Sequence, residues 1–175
     1  MDAPVASKPV RNGVLDMIEN TLLSGYGKKE DLRALDKSLR DQYHGELTIL
    51  RYQWEKIYLE VIEAGQSAIG LKCKAVIQTL DRVSSSINRA EYGYAPLFDR
   101  VEKIQNDSLG RVLQYDRNLA SVITRLSADV NSVEASLRET SWSKVQSVVE
   151  SINGDLRDLE NGWGNRKNMF NDNLE

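Results

Sequence analysis

The stretch from Leu47 to Tyr94 reads LTILRYQWEKIYLEVIEAGQSAIGLKCKAVIQTLDRVSSSINRAEYGY and carries a single apolar stripe. The stripe advances in steps of three or four residues and is interrupted once, by Lys72. Its positions are Leu47, Leu50, Trp54, Ile57, Val61, Ala64, Ala68, Lys72, Val76, Leu80, Val83, Ile87, Ala90 and Tyr94. The mean step of about 3.6 residues is the period of an α-helix, and no alternating strand pattern of comparable length occurs. The stretch therefore predicts an amphipathic helix with Trp54 near the centre of its buried face.

A second stripe of the same period follows Pro96. Its positions are Leu97, Val101, Ile104, Ser108, Val112, Tyr115, Leu119, Val122, Leu126, Val130, Val133 and Leu137, continued by Val145, Val149, Ile152, Leu156, Leu159 and Trp163. The two stripes are separated by Gly93-Tyr94-Ala95-Pro96. Because Gly is favoured just past a helix end and Pro at the first turn of the next helix, these residues predict a tight reversal. A kinked continuous helix is the alternative.

The two arms on either side of the reversal, residues 29–93 and 97–163, have nearly equal lengths of 65 and 67 residues. Unbroken, they would form a hairpin on the order of 100 Å long. Breaks near Gly65, Gly70, Asn106 and Ser141 would instead give a shorter three- or four-helix bundle. Because both stripes have the period of a helix, we predict an all-α fold. The stripes are wider than one opposing helix can cover, so we expect an elongated antiparallel bundle of three or four helices, with coiled-coil-like packing in patches.

The domain organisation follows from where this periodicity starts and stops. Residues 1–13 hold two prolines and no periodicity, which predicts a flexible N-terminal arm. A short helix then begins at Val14 and ends at Ser24–Gly27. We expect one helical-bundle domain over residues 14–170 and a disordered tail at 171–175, where Leu174-Glu175 resembles a cloning remnant.

Composition excludes several classes of partner. The 23 basic and 26 acidic residues nearly balance, which argues against nucleic acid and gives little attraction to an anionic membrane surface. No apolar run approaches the ~20 residues that span a bilayer, and the N-terminus has no signal-peptide pattern. Cys73 is the only cysteine, so no internal disulfide can form and a reducing, cytoplasmic location is expected. Cys73 itself is interpreted as a small buried hydrophobe.

No pattern in the chain predicts a catalytic residue, a cofactor site or a metal site. Asp41 and His44 lie one turn apart, as do Glu60 and Glu63, but a ferritin-like site needs two Glu-x-x-His pairs and the chain has one histidine. No nucleophile motif surrounds His44, and the glycine-rich residues 25–29 lack the strand and the Ser/Thr of a phosphate-binding loop. We therefore expect no enzymatic activity, no cofactor and no bound metal.

Aromatic and apolar side chains near the C-terminus form the most partner-like group in the sequence: Trp163, Met169 and Phe170. Large aromatics at a chain end either anchor a partner or pack back on their own domain. Packing back is the favoured interpretation, and partner binding is the alternative.

Small residues cluster inside the first stripe, at Gly65, Ala68 and Gly70. Small side chains let two helices approach closely, and glycine lowers helix stability. The cluster is interpreted as a close helix crossing, with a hinge as the alternative.

These patterns favour a non-catalytic helical protein–protein interaction or scaffold module that associates with itself or with another helical protein. A homodimer fits the width of the apolar stripes, because exposed apolar surface on that scale is rare in monomers. A peripheral membrane scaffold is the first alternative, although no large basic face is present to bind lipid. A helical-bundle metal-binding protein or enzyme is the second alternative.

Overall fold

The structure, a computed structural model, describes residues 10–24, 28–90, 93–94 and 106–171. Over these ranges the chain forms five helices and no strand. They are α1 (Val10–Ser24), α2 (Lys29–Glu63), α3 (Ser67–Arg89), α4 (Asn106–Arg138) and α5 (Trp142–Asn171). The helices pack against one another, so the predicted all-α helical bundle is confirmed.

Helices α2 to α5 form two antiparallel hairpins, α2–α3 and α4–α5. In the first hairpin Arg51 pairs with Asp81 while His44 lies opposite Ser84, so residue numbers fall along α3 as they rise along α2. At 35 residues, α2 is about 50 Å long. The first arm therefore folds back on itself, and the single hairpin of about 100 Å is replaced by the shorter four-helix arrangement.

The two hairpins pack side by side, with α3 of the first hairpin against α5 of the second. Lys72 of α3 pairs with Glu150 of α5, and Arg82 pairs with Glu160, so the numbers rise together and these two helices are parallel. Helix α2 packs on α4, which closes a ring in the order α2, α3, α5, α4. Consecutive helices run in opposite directions, and the chain reverses between α3 and α4 as the sequence predicts.

The turn between α2 and α3 is set by Gly65. Its backbone is left-handed, with φ of 74°, which glycine adopts without steric cost. Two backbone hydrogen bonds close the helix end, from Gly65 N to Ile62 O at 2.9 Å and from Gln66 N to Val61 O at 3.1 Å, the Schellman arrangement. The expectation of an unbroken helix across this point is wrong, because Gly65 ends α2.

This turn also shifts the apolar stripe by one position. Ala64 and Ala68, both on the predicted stripe, are exposed, and Lys72 is half-buried. Ile69 and Cys73 take the inward positions instead. The reason is that the residues in the turn no longer rotate by 100° each, so α3 restarts the helical phase. The other positions of the first stripe are all buried, as predicted.

The second hairpin turns at Thr140, whose φ of 55° is also left-handed. Thr140 N donates to Leu137 O at 3.0 Å and Ser141 N donates to Ser136 O at 3.0 Å, the same closure as at Gly65. A β-branched residue in this conformation is strained, because its Cβ crowds the backbone. The chain after Pro96 therefore contains two helices, as the interruption near Ser141 suggests.

Helix α1 covers the groove between α2 and α4. It buries the apolar residues Val14, Leu15, Ile18 and Leu22. On its polar side, Asp16 and Glu19 accept hydrogen bonds from Arg117 of α4 at 3.2 and 2.7 Å. Helix α1 is thus a fifth helix that packs on the four-helix bundle, at the end opposite the two turns.

Parts of the predicted organisation lie outside the described residues. The helix α1 begins at Val10, so the last residues of the predicted arm are helical, while residues 1–9 are not described. Of the predicted reversal at 93–96, Gly93 and Tyr94 are described and buried. Residues 95–105, which include the first three positions of the second stripe, and the tail at 172–175 are not described.

Replacing Trp54 with Ala should destabilise the fold strongly. The side chain is 1 % exposed in the middle of the core, so its removal leaves a large cavity and costs about 3–5 kcal/mol. Urea denaturation followed by circular dichroism measures the loss. The matched control is Leu71→Ala, whose side chain is 71 % exposed and whose loss should be about 0.5 kcal/mol or less. Equal losses for the two variants would contradict the packing described here.

Opposite effects are expected at the two turns. Thr140→Gly should stabilise the chain by about 0.5–1 kcal/mol, because relief of the left-handed strain exceeds the entropy cost of glycine. Gly65→Ala should destabilise it by about 1 kcal/mol, since a Cβ there meets nothing within 4 Å and only the backbone strain is added. Thermal unfolding of both variants beside the wild type tests the pair, and a change of the same sign in both would rule out this description of the turns.

Candidate functional site

The C-terminal aromatic residues pack inside the bundle. Trp163 and Phe170 are buried, with 1 % and 4 % of their surface exposed, and Met169 is half-buried against the core. Trp163 meets Tyr43 of α2 edge to face at 6.3 Å between ring centroids. The structure therefore places these residues as the packing-back interpretation describes, and they do not form an open surface.

The small residues of the first stripe play three different parts. Gly65 forms the turn, Ala68 is exposed, and Gly70 lies in the first turns of α3 against Ile62 of α2. A Cβ on Gly70 would overlap the end of the Ile62 side chain, so a close helix approach exists at this residue. The structure separates the close approach, at Gly70, from the break, at Gly65.

A buried ion cluster joins α2, α4 and α5 at the end of the bundle away from the turns. Arg166 of α5 is completely buried. Its Nε donates to Asp116 Oδ1, and its Nη2 donates to Asp116 Oδ2 and to Asp36 Oδ1, each at 2.9 Å. The pairing with Asp116 is bidentate, which is the strongest geometry for a guanidinium and a carboxylate.

A second layer of groups completes the cluster. Tyr94 donates to Asp116 Oδ2 at 2.7 Å, and Arg40 Nε donates to Asp36 Oδ2 at 3.0 Å. Two positive and two negative charges are therefore gathered in one place, so the group is neutral as a whole. The Asp36 carboxylate also lies directly against the Cα of Gly93, where any side chain would collide with it.

Aromatic rings surround the guanidinium of Arg166. Its Cζ lies 4.9 Å from the ring centroid of Trp163, 5.0 Å from that of Phe170 and 5.7 Å from that of Tyr94. Ring faces attract a cation, and this attraction grows when water is excluded. Trp163 and Phe170 thus stabilise the buried charge of Arg166 as well as pack in the core.

Both titratable partners of Asp116 keep their protons. Burial alone would lower the pKa of Arg166, but the charge and hydrogen bonds of Asp116 and the charge of Asp36 hold it well above the usual value. Burial, and after it the negative charge of Asp116, raises the pKa of Tyr94 well above that of an exposed tyrosine. The cluster therefore stays an arginine–carboxylate network with a tyrosine donor, closed to solvent, and it aligns three helices.

Sequence reasoning missed this cluster, although a signal was present. Arg166 lies three residues after Trp163 and four before Phe170, so it occupies an inward position of the stripe. Asp36 and Asp116 likewise occupy inward positions, four residues after Leu32 and Val112 respectively. Charged residues at core positions of three helices indicate a buried network.

His44 and Ser84 form a second polar contact between helices. Ser84 Oγ lies 2.7 Å from His44 Nδ1. A nucleophilic serine also needs donors that stabilise an oxyanion, and both residues sit within helices, whose backbone N–H groups are bonded along the helix. The contact ties α2 to α3.

Cys73 is fully buried, and burial raises the pKa of its thiol to about 12. The thiol therefore stays protonated, and a protonated thiol is a poor nucleophile and metal ligand. Its role is that of a small apolar core residue, as expected.

Over the residues that the structure describes, no group of three or more His, Cys, Asp and Glu side chains is arranged to hold a metal ion. Glu60 and Glu63 are exposed on α2, apart from His44. The Asp41–His44 pair and the Glu60–Glu63 pair are therefore not brought together in one site.

One surface of α2 is apolar and faces outward. It consists of Ile49, Tyr52, Leu59 and Ile62, which are 61, 60, 53 and 42 % exposed. At 100° per residue Ile49, Tyr52 and Leu59 lie about 140 to 160° around α2 from the buried Trp54, while Ile62 lies about 80° from it, beside Gly70 of α3. We call this surface the outer face of α2. Apolar residues recurring at 49, 52, 59 and 62 were its signal in the sequence, outside the stripe that fixes the core.

None of the helices described here is both long and apolar enough to cross a bilayer.

Removing the charge of Arg166 tests the buried cluster. Arg166→Met keeps much of the volume but leaves the buried Asp116 carboxylate without a counter-charge and Asp36 with Arg40 alone, which should cost about 3–5 kcal/mol of unfolding free energy. The matched control is Arg125→Met, because Arg125 pairs with Asp155 in a more exposed salt bridge. This variant should lose less than about 1 kcal/mol. Adding Asp36→Asn and Asp116→Asn to Arg166→Met should recover part of the loss. Urea denaturation gives the values, and a loss at Arg166 no larger than at Arg125 would contradict the cluster.

Comparison with known proteins gives no match: no protein family, no curated protein and no solved structure is similar to this chain.

Proposed function

We propose that this chain is a non-catalytic helical module whose function is association with protein, in the first place with itself. The observation that carries the proposal is the outer face of α2. Four large apolar side chains are exposed on one helix, and three of them, Ile49, Tyr52 and Leu59, lie opposite its packed side. Surfaces of this kind mark interaction sites when they are contiguous.

The size of the outer face suits a helix-sized contact. At roughly 100 Å² for each half-exposed large side chain, the face offers about 400 Å² of apolar surface. A stable interface takes about 800 Å² from each partner, so the polar residues beside the face must supply the rest. We therefore expect an association of moderate strength, with a Kd in the micromolar range.

The charges beside the outer face favour a protein over a membrane. Glu55, Glu60 and Glu63 are exposed on the same helix, and the basic residues near them are Lys56 and Arg51, which pairs with Glu55. A helix that lies on an anionic membrane carries Lys and Arg beside its apolar side. An acidic border would be repelled by such a surface, which disfavours the membrane alternative.

The polar contacts between helices give no support to the enzymatic alternative. The Arg166 cluster is closed to solvent, and the His44–Ser84 contact lies between two helices. A catalytic group must reach a substrate, and an active site is normally concave and open to it. Both contacts hold helices together, which is what a scaffold needs.

Light scattering after size-exclusion chromatography tests the proposal. The wild-type chain should shift from monomer towards twice its mass of 19.8 kDa as its concentration rises through the micromolar range. Leu59→Glu should keep the chain monomeric, because a charge would be buried in the contact.

The matched control is Leu23→Glu, which makes the same change at a side chain 57 % exposed on α1, outside the outer face. It should leave the mass unchanged relative to the wild type. Circular dichroism should show both variants to be folded, since neither side chain is buried. A wild-type chain that stays monomeric at about 500 µM, well above a micromolar Kd, would refute self-association.

A further inference from the structure

The turns of the two hairpins have the same hydrogen-bonded closure but different residues at the left-handed position. Gly65 holds this position between α2 and α3, and Thr140 holds it between α4 and α5, with φ of 74° and 55°. Among the residues that the structure describes, Thr140 is the one non-glycine residue with a left-handed backbone. Its Cβ makes this conformation unfavourable, whereas glycine adopts it without that cost. The second hairpin is therefore closed by a strained turn and the first by an unstrained one.

The side chains of the strained turn do little to hold it closed. Thr140 and Glu139 are both exposed. Glu139 accepts a hydrogen bond from Lys144 Nζ at 3.2 Å, but these side chains are 62 and 65 % exposed, so the ion pair contributes little. The nearest anchor is Trp142, the first residue of α5, which is half-buried against the core. The strain persists because the helices on either side of the turn are packed.

The sequence across the second turn is compatible with a continuous helix. From Arg111 to Asn153 the chain contains no glycine and no proline, the two residues least suited to a helix interior. With helical dihedral angles at residues 139–141, α4 and α5 would form one helix over residues 106–171, about 100 Å long, without the strain at Thr140. The first turn differs, because Gly65 suits the turn and would weaken a helix that ran through it.

Opening the second turn takes α5 out of its own bundle, so its apolar side then needs another cover. The side chains concerned are Val145, Val149, Ile152, Leu156, Leu159, Trp163 and Phe170. A second, opened copy of the chain offers a surface that fits them, namely the α3 and α4 that its own α5 has left. Because the copies are identical, each contact of α5 can be made between chains. The bidentate pair of Arg166 with Asp116 is among these contacts.

We propose that the second hairpin opens at Thr140 and that two copies of the chain exchange α5. In this exchanged dimer, α5 of each copy packs on α3 and α4 of the other, and each chain runs from α4 into α5 as one helix. A two-fold axis passes between the two continuous helices near Thr140, so the two bundles meet at their turn ends. The inference goes beyond the proposed function, because the exchange does not use the outer face of α2.

The exchange differs in rate from a contact through the outer face. Helix α5 cannot leave a folded bundle without exposing its buried side chains, so the monomer and the exchanged dimer interconvert slowly. The exchanged dimer therefore forms when chains fold together at high concentration, and it persists after dilution. A dimer that is held by an exposed surface dissociates on dilution, since no helix has to open.

Cross-linking across the hairpins reads the exchange directly. Arg125 of α4 pairs with Asp155 of α5, and at the same spacing Arg51 of α2 pairs with Asp81 of α3. Chains with Arg125→Cys are mixed with chains with Asp155→Cys, unfolded in urea and refolded together at about 500 µM. A short bismaleimide added after dilution should link the two different chains. The buried Cys73 thiol should contribute little background.

The first hairpin supplies the matched control. Chains with Arg51→Cys, refolded with chains with Asp81→Cys and treated in the same way, should give no link between chains, because α2 and α3 stay together at the unstrained turn. Mass spectrometry identifies the linked residues in both mixtures, and circular dichroism shows that the chains have refolded.

Thr140→Gly tests the role of the strain. The exchanged dimer relieves two strained turns, and the variant has none to relieve, so the concentration at which half of the refolded chains are exchanged should rise about tenfold. Refolding over a range of concentrations, followed by size-exclusion chromatography of diluted samples, gives this value. Leu59→Glu, which disrupts the outer face of α2, should leave the value unchanged.

The outcomes separate this inference from the proposed function. Links between the Arg125→Cys and Asp155→Cys chains that persist after dilution, and that Thr140→Gly suppresses, support the exchange. Absence of these links at about 500 µM, or equal links in the control mixture, overturns it. Exchange that is as extensive in Thr140→Gly as in the wild type overturns it as well. Association through the outer face stands or falls separately, on the effect of Leu59→Glu on the chain that has not been unfolded.

Discussion

Each of the five described helices has an apolar side, and the contacts between the helices keep these sides from water. The turn at Gly65 folds the first stripe onto itself, the turn at Thr140 does the same for the second, and the two hairpins then cover each other. Helix α1 closes the groove that remains between α2 and α4. The outer face of α2 is exposed to solvent among the residues that the structure describes.

Burial of apolar surface is not directional, so it does not by itself fix how far the helices slide along one another. The Arg166 cluster does, because a bidentate guanidinium and two carboxylates satisfy each other at only one relative position of α2, α4 and α5. Such a group costs free energy to bury and contributes specificity in return. Gly93 and Tyr94 join the cluster as well, so the end of the bundle opposite the turns is held by polar contacts.

The helices and most of the core could be predicted because their period repeats over many residues. The turn at Gly65 was harder to predict, since apolar residues continue at helical spacing straight through it, and only the left-handed backbone at one glycine reveals the break. With the turn known, residues on α2 and α3 whose numbers add to about 130 face each other, and the contact of His44 with Ser84 follows. The ion cluster joins residues up to 130 positions apart, so no local pattern contains it. The outer face needed the fold, because an apolar residue off the main stripe is identified as exposed only when every other side is covered.

Self-association through the outer face of α2 is tested most directly by hydrogen exchange, measured by mass spectrometry at two protein concentrations, one about tenfold below the Kd and one about tenfold above it. Amides of a helix exchange when the helix opens, and a bound partner makes opening rarer. If the outer face of α2 is the contact, exchange at the higher concentration should be slower in peptides that span residues 49–62, with little change in α4 and α5. Slower exchange confined to α4 or α5, or equal exchange everywhere in a sample shown to be dimeric, would contradict it.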